Sequence, residues 1–225
     1  MIMHIKGAIF DCDGTLVDSL GFWETFYEKV SERYFGHKNF RVSPEDDRAM
    51  RTQNIHFLSE LLHEKYGIGE SVEELRVLAE EILTWYYTEA ADLKPGVREL
   101  LAFLKEKEVR MCIASASEGH SIRMVLGRHG VLDCFEDIIP CTSVGAGKDK
   151  PDVFFAAEKF LGTPHESTWV FEDSVLAIET SKKAGFPVVG VYDPHTFGQE
   201  RAKELSDIYI DDGGSFAELI SHFES

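Results

Sequence analysis

The chain has 225 residues, 44% of them hydrophobic and 16 of them Phe, enough to bury a sizeable core as one large domain or as a domain carrying an insertion. Its formal net charge of −17 disfavours nucleic-acid and anionic-membrane partners, which both need a positive surface, but a bound divalent cation can reverse a local field and admit an anionic small molecule. Cysteines at 12, 112, 134 and 141 form no CxxC pair and no zinc-ligand spacing; the start lacks a signal peptide's apolar stretch and no run nears a membrane span, so a soluble cytoplasmic protein with reduced thiols is expected, as monomer or homodimer.

A first strand is expected over 5–11, and it runs into Asp11-Cys12-Asp13-Gly14-Thr15. Side chains alternate along a strand, so Asp11 and Asp13 share a face with Cα atoms roughly 6 to 7 Å apart, a spacing suited to a nucleophile and a proton donor. Two bland readings compete. Asp and Gly favour turns, and acids near a glycine occur in calcium loops; an EF-hand, however, needs more oxygen ligands before its glycine and a helix ahead of it.

The next hundred or so residues read as helix with no convincing strand, as an order-of-length estimate from apolar periodicity. Phe22, Trp23, Phe26 and Tyr27 fall at helical spacing, as do Ile55, Leu58, Leu61 and Leu62. Ser71-Val72-Glu73-Glu74 has the form of a capping box opening a third helix that runs to about residue 90. Lys94-Pro95-Gly96 then returns the chain, with Pro95 suited to a helix start. The expected organisation is a core of residues 1–17 and 93–225 with an inserted helical domain at 18–92, joined through linkers near 15–19 and 91–96.

Further strands are expected over 109–114, 137–141, 168–173, 187–191 and 207–211, mostly continuous in apolar residues, as strands covered on both faces are. Helical patterns at 97–107, 118–129, 152–161, 174–184 and 215–223 alternate with them, which implies a Rossmann-like α/β fold with a parallel sheet and helices on both faces. Ligands in such sheets sit at the carboxyl ends of the strands. There lie Asp11 and Asp13, Ser115-Ala116-Ser117, Lys148, and Glu172-Asp173-Ser174. Each alone has an ordinary explanation: Ser115 as a helix cap, Lys148 as a solvated charge, Glu172 and Asp173 as a capping pair.

Together they resemble the haloacid dehalogenase-like superfamily of aspartate-nucleophile phosphotransferases, in its branch with a helical cap after the first strand (β-phosphoglucomutase and phosphoglycolate phosphatase-like). Asp11 to Ser19 matches the first motif, Ser115 the second, Gly147-Lys148 with Pro151-Asp152 the third, and Glu172-Asp173-Ser174 the fourth. The usual lysine segment runs Gly-Lys-Pro-x-Pro-Asp; this chain has Gly147-Lys148-Asp149-Lys150-Pro151-Asp152, so Lys148 aligns and Lys150 stays open. The resemblance implies a phosphatase for a small phosphorylated metabolite. Asp11 is its nucleophile and Asp13 its acid and base. Mg²⁺ is held by Asp11, Asp13 (main-chain carbonyl) and Asp173 with Glu172 behind, and phosphate is bound by Ser115, Ala116 and Lys148. Thr15 would orient Asp13 or the loop. In the cap, Arg48, Arg51, Gln53, Asn54 and Trp23 are candidate substrate contacts, Arg51 foremost, while Trp85, Tyr86 and Tyr87 read as packing. A phosphomutase shares the motifs, though it carries a lysine and asparagine near Glu118, Gly119 and His120. Asp13 argues against dehalogenation. Phosphonate hydrolysis would need a cap lysine, and Lys29, Lys38 and Lys65 sit in no recognisable pattern. A non-catalytic binding protein is the different-class alternative.

Overall fold

The structure is a computed structural model that describes residues 4–36, 39–52, 55–117 and 119–223. Two compact units emerge, one of residues 1–20 with 91–225 and the other of residues 21–90.

The first unit is the α/β fold that the sequence implies. Its strand β1 (Gly7–Phe10) is buried along its whole length. Two short strands, β2 (Val17–Asp18) and β3 (Asp92–Leu93), pair antiparallel, a ladder not anticipated from sequence because two residues carry no periodicity. That pairing ties both segments to the α/β unit, so the division falls at 20/21 and 90/91, inside the expected 18–92. The main sheet joins β1 to β4 (Arg110–Ser115), β5 (Ile138–Pro140), β6 (Thr168–Glu172), β7 (Val188–Val191) and β8 (Ile208–Ile210), all parallel, in the order β5-β4-β1-β6-β7-β8. Counting only these strands in chain order gives 3-2-1-4-5-6, whose direction reverses between β1 and β6. Such a switch point leaves a crevice beyond the strand ends, where ligands bind in doubly wound sheets.

Why the strands read so cleanly is evident in their packing. Ile9, Cys112, Ala114, Val170 and Val188 are buried against Val153, Phe154, Ala157 and Ile178 of the covering helices. Burying each large aliphatic side chain contributes about 1.5–3 kcal/mol, so an apolar run with helices on both faces is strongly held.

The second unit consists of α1 (Phe22–Phe35), α2 (Pro44–Thr52), α3 (Ile55–Glu60), which continues into a π-helical turn at Leu61–Lys65, and α4 (Val72–Trp85), which ends in another at Tyr86–Ala90. Phe26, Tyr27, Val30, Leu58, Leu62, Leu75 and Ile82 form its own core. Ser71 caps α4 by accepting from the Glu74 N–H at 3.1 Å, but the Glu74 carboxylate reaches the Glu70 N–H at 2.7 Å and not that of Ser71, so half of the expected box forms. A complete box instead opens the helical turn at Phe216–Leu219, between Ser215 and Glu218.

Helices of the α/β unit follow as α5 (Val97–Glu106), α6 (Gly119–Arg128), α7 (Cys141–Val144), α8 (Asp152–Leu161), α9 (Val175–Lys183), α10 (Gln199–Leu205) and α11 (Ile220–Phe223). Pro95 is not a first-turn residue of α5: Gly96, at φ +77°, is the cap, and the Pro95 carbonyl accepts from Phe216. The sequence reading missed α10 because Gln199-Glu-Arg-Ala-Lys-Glu-Leu205 is polar on nearly every face, with Ala202 alone buried. The four cysteines are free thiols, three of them buried. Among the described residues no helix is long and apolar enough to cross a membrane.

Candidate active site

Register assembles the site. Phe10 lies level with Ile113 of β4 and Phe171 of β6, so the residues just beyond those positions converge: Asp11 after β1, Ser115 ending β4, Glu172 ending β6 and Asp173 after it. The Asp11 N–H donates to Phe171 O at 2.9 Å, the last rung before the chains part. Strand alternation does not extend to Asp13 as expected, because β1 stops at Phe10 and the chain turns at once, Leu16 and Val17 both donating to Cys12 O. The turn requires Gly14, whose φ is +81° and where a Cβ would stand 2.8 Å from Asp173 Oδ2. A side chain there would occupy space that the acidic cluster needs.

The two aspartates of the first motif consequently have different neighbours. Asp11 accepts from the Lys148 ammonium, which also donates to Glu172. Ser19 and Ser117 hydroxyls each donate to one oxygen of Asp13 at 2.6 Å. Ser115 Oγ accepts from Ser117 N–H at 3.1 Å, which leaves its own proton to donate; Ala116 is exposed beside it. Thr15 serves Asp173, not Asp13, donating to Oδ1 at 2.9 Å. Of the two candidate lysines, Lys148 reaches the carboxylates and Lys150 is exposed.

Asp11, Glu172 and Asp173 bring carboxylate oxygens within 4.8 Å of one another, and all three are buried. Two like unit charges 4 Å apart repel by about 4 kcal/mol at an effective dielectric of 20. Three carboxylates against one ammonium leave negative charge in excess. Burial, with Lys148 drawing it down and Asp13 pushing it up, raises the Asp11 carboxyl above its usual value. Burial first, then neighbouring acids, raises Glu172 to about 8 and Asp173 to about 7. Burial opposes the charge on Lys148, yet Asp11 and Glu172 outweigh it and hold the ammonium well above its usual pKa. Hard, clustered oxygen donors short of positive charge are the donor set of a small divalent cation.

Sequence reasoning gave Ser19 and Ser117 no role and missed Thr196, which donates to Asp173 Oδ2 at 2.5 Å. Ser117 had a signal, since it stands two residues from Ser115; Thr196 had none. Arg51 belongs to the helical unit, where Nε donates to Asp47 at 2.8 Å and the guanidinium lies 5.3 Å from the Trp23 ring centroid. Tyr86 and Tyr87 are buried there as expected, but Trp85 is 43% exposed, with Lys29 Nζ 4.3 Å from its ring centroid. Gln53 and Asn54, like Lys38 and Glu118, lie outside the described residues.

A doubly wound parallel sheet with buried acids at its switch point defines a Rossmann-like α/β protein with a candidate ligand site at its strand ends. Residues 5–185 match the haloacid dehalogenase-like hydrolase family, and the chain belongs to it. A phosphorylated carbohydrates phosphatase of Thermotoga maritima is 27% identical over 187 residues, covering 80% of this chain and 82% of that protein. The β-phosphoglucomutase of Bacillus subtilis is 26% identical over 193 residues, covering 83% of each. Among solved structures, CbbY from Rhodobacter sphaeroides in complex with phosphate shares the fold with a TM-score of 0.73 at 22% identity, over 96% of each chain.

Proposed function

We propose that this chain is a Mg²⁺-dependent phosphatase that hydrolyses the phosphate monoester of a small metabolite through an aspartyl-phosphate on Asp11. One observation carries this reading: Asp11 sits in the buried acidic cluster bridged by Lys148, while Asp13, two residues on, is held apart by two seryl hydroxyls. The two acids thus have the separate environments that a nucleophile and a proton carrier need.

In the first half-reaction an Asp11 oxygen attacks phosphorus as the bond to the leaving oxygen breaks, and Asp13 delivers a proton to that oxygen. In the second, Asp13 takes a proton from water, whose oxygen attacks phosphorus and releases Asp11 and inorganic phosphate. Lys148 balances charge on Asp11 and on the transferring oxygens, and Ser115 Oγ with the Ala116 N–H holds another phosphate oxygen. Asp11, Asp173 and the Asp13 main-chain carbonyl, with Glu172 behind them, would hold Mg²⁺, which supplies the positive charge that lets a dianion approach a carboxylate. The helical unit, 21–90, supplies closure and substrate choice as a cap, Arg51 being its candidate contact for an anionic group.

The test is phosphate release from a panel of phosphorylated metabolites and from p-nitrophenyl phosphate, with Mg²⁺. The reading fails if wild type and Asp11→Asn release phosphate at equal rates, which would leave a binding protein. A phosphomutase is the second reading, favoured by the match to β-phosphoglucomutase. Conversion of β-glucose 1-phosphate to glucose 6-phosphate, without free phosphate, would establish it.

A further inference from the structure

The turn between β7 and α10 lies outside every motif that carries the proposed chemistry, yet it is built around a fully buried acid. Asp193 has no exposed surface, and Lys94 Nζ stands 2.9 Å from its Oδ2, a charge contact without hydrogen-bond alignment. Lys94 Nζ donates instead to Tyr192 O at 2.6 Å. Asp193 Oδ1 accepts from the His195 N–H at 2.9 Å, and its carbonyl accepts from the Thr196 N–H at 3.1 Å. Gln199 Nε2 then spans the turn, donating to Asp193 O and Thr196 O at 2.9 Å each, while its own oxygen accepts from Tyr209. Desolvating an ion pair costs several kcal/mol per ion, so a surface connection does not ordinarily contain one. The turn is thus cross-braced by hydrogen bonds, and among the described residues it reaches the site through Thr196 Oγ1 to Asp173 Oδ2, at 2.5 Å.

Asp173 therefore receives one hydroxyl on each oxygen, Thr15 from the β1 turn and Thr196 from the β7 turn. The terminal torsion of an aspartate is broad and roughly two-fold, so a single donor leaves the carboxylate plane free to swing. Two donors from separate chain segments restrain that rotation and leave acceptor capacity on both oxygens for a cation. A neutral hydroxyl does this without adding charge that would compete with a cation.

We propose that Thr196 is a positioning residue for Asp173: held by the Lys94–Asp193 turn, its hydroxyl fixes the carboxylate in the orientation that binds the divalent cation. The inference rests on Asp173 being a metal ligand, as proposed above, and deepens that reading. Outer partners of ligating groups typically change metal affinity by about 10- to 100-fold when removed.

Calorimetric titration of Mg²⁺ into metal-free full-length protein tests it, comparing wild type, Thr196→Val, Thr196→Ser and Asp173→Asn. Thr196→Val keeps the shape of the side chain and removes the donor; its Mg²⁺ dissociation constant should rise about tenfold or more, and Thr196→Ser should restore it to within about threefold. With p-nitrophenyl phosphate at saturating Mg²⁺, KM should stay close to wild type. Should the valine disturb the turn, Thr196→Ala repeats the measurement with a smaller side chain. Wild-type Mg²⁺ affinity in both donor-less variants, alongside loss of binding in Asp173→Asn, overturns the positioning role and leaves the metal site standing. Unchanged binding in Asp173→Asn overturns both.

Discussion

Asp46 of the helical unit and Asp173 of the α/β unit are 6% and 4% exposed, and each accepts hydrogen bonds on both carboxylate oxygens. Their partners differ. Lys65, Tyr66 and Ser43 surround Asp46, and those hydrogen bonds, the lysine's foremost, hold its carboxyl down at about 2. Asp173 has two neutral hydroxyls and faces Asp11 and Asp193, and burial with that acidic company raises it to about 7. Desolvation dominates at Asp173, where no cation opposes it, and at Asp46 it is outweighed by hydrogen bonds from an ammonium and two hydroxyls. The Asp46 cluster pairs its carboxylate with an ammonium, whereas the Asp173 cluster sets three carboxylates against one ammonium.

Several substitutions press on that contrast. Asp11→Asn, within the unbalanced cluster, should lower phosphatase turnover by at least about a thousandfold, whereas Asp46→Asn should leave kcat near wild type; a stopped phosphate-release assay compares them. Asp173→Asn should weaken Mg²⁺ binding by about tenfold or more, as a lost direct ligand must exceed the lower bound for an outer one, yet it should raise the melting temperature of metal-free protein at pH 8. A lower melting temperature there would mean that the cluster's repulsion is already relieved.

The pH dependence follows from the same displacements. Glu172 and Asp173 have raised values in the folded state, so it binds more protons than the unfolded chain; the stability they contribute is complete below about pH 4 and is lost as pH rises through about 7 to 8. Thermal melts in EDTA should therefore fall from pH 5.5 to pH 8, by about 2–4 °C per kcal/mol, and added Mg²⁺ should recover more at pH 8 than at pH 5.5. Asp46 has the reverse sign: its contribution is present above about pH 4 and is lost as pH falls toward about 2. Asp46→Asn should flatten that acid limb and lower the neutral melting temperature slightly, a small effect readable by circular dichroism.

Much of the fold was legible because the sheet is covered on both faces, so Gly7–Phe10 is a short apolar run followed at once by Asp11, and Thr168–Glu172 a largely apolar one that ends in an acid. Strand ends placed Asp11, Glu172 and Asp173 together, and the family resemblance gave them roles. What stayed hidden depends on contacts between distant segments. Alignment on Pro151-Asp152 selected Lys148 and left Lys150 open; the fold shows that it is the Lys148 ammonium that reaches Asp11. Thr15 was expected to orient Asp13 or the loop, but its hydroxyl crosses to Asp173, 158 positions away. Thr196 and Asp193 belong to no pattern, and their place depends on β7 lying next to β6. Local chemistry marks where a site begins, and strand order decides which hydroxyls surround it.

The short ladder of Val17–Asp18 with Asp92–Leu93 has an evolutionary consequence. Seen from the sheet, everything between those strands is one oversized hairpin loop whose ends already meet. Closing a longer loop adds entropy cost only logarithmically, so such a segment can be exchanged for a different module, or trimmed to a tight turn, without re-registering a single strand of the parallel sheet. Reaction chemistry and molecular choice can then diversify independently, each inherited on its own stretch of polypeptide.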